Sequence, residues 1–250
     1  MISLPYVAIM LLALGSAIVL SRGRHRALPL RPGQRLLITV GAFVGAIFGA
    51  KLPFALSDHP GLLSGHAWLA GGKTILFGLV GGYAGVEVVK RALGVRIKTG
   101  DTFVVPVAVA IAIGRLGCFV AGCCHGTPTE LPWGVVFADG VPRHPTQLYE
   151  FLFHASAALV ILWMERREIL RCQRIKLYIL AYLVYRILSE FIRPEPRVEL
   201  GLTVYQWSAL AFIPLFVLLW RRDSRTLVTE TAPPPGSDAP TAPALQESPP

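Results

Sequence analysis

Seven stretches of this chain are apolar enough to cross a bilayer, at roughly 3–21, 36–56, 74–93, 102–124, 147–165, 175–193 and 203–220. A spanning helix needs about 20 mostly apolar residues, because lipid cannot satisfy the polar groups of an irregular backbone. Seven such stretches in 250 residues leave little chain for a soluble domain. They predict an all-α, polytopic membrane protein with about seven transmembrane helices. Composition agrees, with 53% apolar residues, 16% charged residues and a mean hydropathy of +0.55.

A net charge of +9 is compatible with nucleic-acid binding, but the placement of the cations argues against it. They gather after segment one (Arg22, Arg24, Arg26, Arg31, Arg35), in the link between three and four (Lys90, Arg91, Arg96, Lys98) and between five and six (Arg166, Arg167, Arg171, Arg174, Lys176). Arg221, Arg222 and Arg225 follow segment seven. All of these links fall on one side, which the positive-inside bias makes cytoplasmic. The N-terminus is then outside, the C-terminus is cytoplasmic, and the cations orient the chain or touch anionic lipid. No nucleic acid is expected. Segment one has its cations after the apolar run, so it reads as a retained helix rather than a signal peptide. From 223 to 250 the chain becomes Pro-rich and polar, a composition that cannot bury a core. This divides it into a membrane domain, 1–222, and a disordered cytoplasmic tail, 223–250.

Within the spans, Gly41, Gly45 and Gly49, and then Gly78, Gly81, Gly82 and Gly85, repeat the G-x-x-x-G spacing of closely packed helices. Charge is rarer. Arg115 follows about ten uncharged residues, and Arg186, Glu190 and Arg193 fall at i, i+4, i+7 in segment six. Ionised groups in a membrane are costly, so they face inward, pair and mark function. On a regular helix the last three share one face. Segment five opens with Gln147, Tyr149 and Glu150, and His154 lies four residues past Glu150. Two guanidinium forks from different spans, Arg115 and Arg186, match phosphate geometry, and the phosphate at hand belongs to a lipid. The stiff run Pro142-Arg143-His144-Pro145 adds His144, a proton acceptor near neutral pH. His66, in the 2–3 loop, is a weaker candidate. Cys118 and Cys123 are five apart, on different faces of a regular helix, and vicinal Cys123–Cys124 chelates poorly. The three therefore read as small packing residues with no metal. The residues point to group transfer involving a lipid, with no cofactor.

These residues resemble the prolipoprotein diacylglyceryl transferase family. Gly114-Arg115-Leu116-Gly117, with Phe119, Gly122 and Gly126, is similar to its signature block. Leu131–Phe137 and Pro142–Glu150 are similar to its next two blocks, and Arg186, Glu190, Phe191 and Arg193 to a later one. The resemblance covers about 5–222 and implies seven helices with the N-terminus outside. It implies transfer of the diacylglyceryl group of phosphatidylglycerol to the lipobox cysteine thiol of a prolipoprotein, in the bacterial cytoplasmic (inner) membrane. Arg115 and Arg186 then hold phosphate, and Gly126 permits close approach. His144 takes or orients the proton. Arg143, Gln147, Tyr149, Glu190 and Arg193 complete the substrate site. Tyr6 aligns loosely with a family tyrosine. The chain departs from the pattern where the family's histidine is Leu76, its two asparagines are Cys118 and Ala121, its glutamate is Cys123, and an acidic residue is Ala70. A reading from another class is a non-catalytic or thiol-dependent lipid-binding relative of the same fold.

Overall fold

The computed structural model describes residues 4–57 and 74–231. His59, His66, Trp68, Ala70 and Lys73, expected between the second and third stretches, lie outside the described residues, as does 232–250. Among the described residues seven α-helices run in order: α1 (Leu4–Arg26), α2 (Pro32–Ser57), α3 (Ile75–Ala92), α4 (Asp101–Val120), α5 (Thr146–Arg166), α6 (Arg174–Ser189) and α7 (Val204–Thr231). Each coincides with one of the apolar stretches. Among the described residues, α1, α2, α4, α5 and α7 are long and apolar enough to cross a membrane. The protein is thus a mostly helical, multi-pass membrane protein. The 18-residue α3 carries Glu87, Lys90 and Arg91 in its last turns, and α6 has 16 residues, so neither joins these five. Exposed apolar side chains line the outer faces, such as Leu11 on α1, Phe48 on α2 and Leu218 on α7, the inverse of a soluble surface.

Three expected boundaries move. The fourth stretch ends its helix at Val120, not 124. There Gly122 takes φ +66°, Cys123 N donates to Cys118 O (3.1 Å) and Gly122 N to Phe119 O (3.0 Å). This is a Schellman motif, and only glycine enters it without steric cost. The sixth stretch ends at Ser189 and tightens into a 3-10 turn over Glu190–Ile192, so Arg193 leaves the helix face predicted for it. The last helix extends to Thr231, past the expected tail boundary at 222.

Packing follows residue size. α2 and α3 meet along their glycines, where a Cβ on Gly45 would strike Gly81 O and one on Gly85 would strike Gly41 O. α1 packs on α4, α4 on α5, and α6 on α7. The apolar core joins α3 to α7, around Leu76, Val104, Ile161, Tyr178, Leu183 and Phe216. At the basic end ion pairs tie helices together: Arg24 to Glu165 (2.6 Å), and Lys98 and Lys176 both to Asp223 (2.7 and 2.8 Å). Asp101, at the start of α4, accepts hydrogen bonds from Cys172 N (2.7 Å) and Arg174 N (3.0 Å) at the start of α6.

Candidate active site

The opposite end holds the predicted site residues. The Pro142–Pro145 run is extended, since proline fixes its own φ and restricts its predecessor. Its first half is β2 (Pro142–Arg143), antiparallel to β1 (Val135–Val136). Gly126 N donates to His144 O (2.8 Å), His144 N to Thr127 O (3.1 Å) and Thr127 N to Ile192 O (2.9 Å). The loop is therefore laced to the start of α5 and the turn after α6. A Cβ on Gly126 would sit 2.5 Å from Ile192 O and 2.8 Å from His144 Cβ. The close approach this glycine permits is between three segments of the chain itself.

His144 is half-buried, with Nδ1 3.4 Å from the Tyr149 hydroxyl, which accepts from Trp133 Nε1 (2.8 Å). Arg143 is engaged by Asp139, whose carboxyl the Arg143 hydrogen bond holds below its ordinary pKa. Gln147 is fully buried and donates through Nε2 to Cys123 O (2.6 Å), and Thr146 Oγ1 donates to Cys124 O (2.7 Å). These two side chains pin the segment after α4 to the start of α5.

Beneath the loop lies a buried ionic cluster. Arg115 Nη2 meets Glu150 Oε2 at 2.6 Å, and Arg193 Nη1 approaches the same oxygen at 3.8 Å. Tyr182 donates its hydroxyl to Glu150 Oε1 (2.6 Å). His154 Nε2 stands 4.0 Å from Oε1 while its Nδ1 bonds the Tyr178 hydroxyl (2.8 Å). Beside this, Arg186 Nη2 lies 2.8 Å from Glu190 Oε2, and Thr203 Oγ1 donates to Glu190 Oε1 (3.0 Å). The Arg186–Glu190 contact is close but misses hydrogen-bond alignment. The Arg186 guanidinium also covers the Tyr205 ring at 4.9 Å. Gln206 caps the arrangement, accepting from Thr203 N and donating to Ile187 O.

The predicted pair of arginines is thus buried in protein, and Arg115, Arg186 and Arg193 all act electrostatically on Glu150. Three guanidiniums oppose two carboxylates, leaving one positive charge in surplus where the dielectric is low. Among the described residues, Arg115 Nε and Arg193 Nε are buried donors without a partner. Such a set can accept a singly charged anion. The sequence reading overlooked Glu150 as the hub, with Tyr182 and Thr203. Its signal was an acidic residue inside an apolar run with His154 one turn on.

The cysteines also differ from expectation. Because α4 stops at Val120, the regular-helix spacing no longer applies. The Cys118, Cys123 and Cys124 sulfurs lie within 4.8 Å of one another, with Cys123 and Cys124 3.7 Å apart. The neighbouring Cys118 thiol, then the Arg115 guanidinium, hold the Cys124 thiol below its ordinary pKa, whereas burial raises that of Cys123. Tyr6 lies alongside, 3.6 Å from where a Gly117 Cβ would be. Leu76 is buried in the apolar core.

A family model described as prolipoprotein diacylglyceryl transferase matches residues 4–222, from the start of α1 into α7. Proteins named phosphatidylglycerol–prolipoprotein diacylglyceryl transferase are similar along most of their length. That of Clostridium tetani is 30% identical over 224 residues, 86% of this chain and 88% of the relative. That of Methylococcus capsulatus is 34% identical over 73% of this chain and 72% of the relative, and that of Polynucleobacter asymbioticus 35% over 72% and 74%. The matched span includes every residue of the buried ionic cluster, and on this ground the chain belongs to the prolipoprotein diacylglyceryl transferase family.

Proposed function

We propose that the protein transfers the diacylglyceryl group of phosphatidylglycerol to the lipobox cysteine thiol of a prolipoprotein signal peptide. The observation that carries this, beyond family membership, is the surplus positive charge of the Arg115–Glu150–Arg193 and Arg186–Glu190 set, with its two unpartnered Nε donors. In the reaction the acceptor sulfur bonds to the glyceryl carbon as the carbon–oxygen bond to phosphate breaks. The electron pair leaves on glycerol phosphate and the thiol proton passes to a base. Guanidiniums fixed before reaction stabilise the departing negative charge. Arg115 and Arg186 are assigned to the phosphate, and Arg193 and Glu190 orient them. His144, hinged against Tyr149, is the assigned proton acceptor. Gln147 and Gly126 hold the loop that carries it, and Arg143 with Asp139 stiffens its hairpin.

The site works in the bacterial cytoplasmic membrane, with seven spans, an outer N-terminus and a cytoplasmic C-terminus. The basic end of the bundle, with Arg24, Lys98, Arg174 and Lys176, then faces the cytoplasm, and the ionic cluster lies towards the outer leaflet. The catalytic unit is 1–222, and 223–250 is a polar extension.

Membranes containing the protein are expected to move labelled diacylglyceryl from phosphatidylglycerol to a lipobox peptide and to rescue a strain lacking its own transferase. Arg115→Lys and Arg186→Lys keep the charge but lose the fork, and each should lower transfer about 100-fold or more. Full activity in both variants rejects the phosphate assignment. Leu76, at the family's histidine position and sealed in the core, favours a second reading: a lipid-binding relative without transfer. Correct insertion with no rescue supports that reading.

A further inference from the structure

Three thiols converge at the outer end of α4, and the charged cluster does not use them. We propose that Cys118, Cys123 and Cys124 form a three-thiolate site for a thiophilic d10 cation of the monovalent-copper class. The geometry is built rather than incidental. The Schellman turn at Gly122 reverses the chain, so that Cys123 Sγ reaches Cys118 O (3.6 Å) and Cys124 falls beside both. Cys124 itself holds φ +63°, a conformation uncommon for a residue with a Cβ. Thr146 and Gln147 fasten the carbonyls of Cys124 and Cys123 from α5. The sulfurs are therefore placed by backbone that two helices hold in position.

Metal–sulfur bonds of about 2.3 Å set sulfur–sulfur edges of about 3.8–4.0 Å in tetrahedral or trigonal geometry. The observed edges include 3.7 Å and none exceeds 4.8 Å, so movement of less than an ångström closes the site. Soft thiolates select copper(I) and zinc over harder ions. Among the described residues the cluster has three donors and no fourth, which suits three-coordinate copper(I) better than zinc's four. A monovalent ion with three thiolates carries a net charge of −2, and the Arg115 guanidinium acts on all three sulfurs, with Arg193 acting on Cys124. Cys123 and Cys124 are exposed, which gives an ion a path in.

The test uses the full chain, purified in detergent and fully reduced under argon, titrated with Cu+ against a chelating competitor. One equivalent bound, with three sulfur scatterers at about 2.3 Å by X-ray absorption, is the expected result. Cys118→Ser, Cys123→Ser and Cys124→Ser should each weaken retention at least tenfold, while Cys172→Ser, at the far end of α4 and beside Asp101, should not change it. Bound Cu+ should also shield three thiols from alkylation in the unmutated protein and leave Cys172 reactive, a readout that needs no variant to fold. The proposal is overturned if the reduced protein retains no ion, if retention survives all three substitutions, or if fewer than three sulfurs coordinate. A disulfide among the three that persists under reductant also overturns it. None of these readouts depends on lipid transfer, so they stand or fall separately from the transferase reading.

Discussion

Glu150 shows how much one buried carboxylate decides. It faces Arg115, Arg193 and Tyr182 at once and is itself fully buried. Breaking a buried ion pair from one side leaves uncompensated charge, which costs roughly 3–5 kcal/mol. Glu150→Gln should therefore lower the thermal midpoint in detergent strongly, whereas Tyr182→Phe, which removes one hydrogen bond to that carboxylate, should cost less, about 1.5–3 kcal/mol. Equal midpoints for the two variants would show that the hub has been misidentified. The arginines were legible from the sequence because charge in an apolar run is conspicuous. Their carboxylate partners were less so: Glu150 lies five residues past the Pro-rich loop, where it reads as a boundary residue. Arg143 looked like a ligand group, but its partner Asp139 sits in the turn between β1 and β2, whose geometry no helical periodicity reveals.

Helix contacts divide the glycines into two kinds. Gly45, Gly81 and Gly85 allow α2 and α3 to touch backbone to backbone, while Gly15 on α1 has nothing within 4 Å of an added Cβ. Gly81→Ala should cost about 1–3 kcal/mol by overpacking, and Gly15→Ala should stay within about 1 kcal/mol of the parent. Thermal unfolding of both variants in one detergent checks the contrast; equal losses would contradict the α2–α3 contact. The repeated spacing made this packing readable in advance. The ends of α4 and α6 were not, because apolar character continues past each helix end while the backbone changes. Gly122 was the available sign at α4, and overlooking it kept the cysteines on separate helix faces when the turn brings them together.

Seen whole, the chain sorts its charges by end: ion-paired cations at one pole, a buried ionic cluster and three thiols at the other. The mostly helical, multi-pass character was readable from hydropathy, since long apolar runs are a property of composition along the chain. Which helices are short was not, because α3 and α6 owe their places to neighbours rather than to their own length. For the proposed orientation, a fluorescent protein fused at the C-terminus should glow and a phosphatase fused there should stay inactive; the reverse pattern would invert the molecule. The Asp101 carboxylate carries a consequence for biogenesis. The amides of Cys172 and Arg174, at the entry to α6, find their acceptor on α4, a helix synthesised some seventy residues earlier. Severed from α4, the Cys172 and Arg174 amides lose their acceptor while those of Lys176 and Leu177 keep Gln173 O, so the very entry to α6 is secured by docking against an older part of the chain.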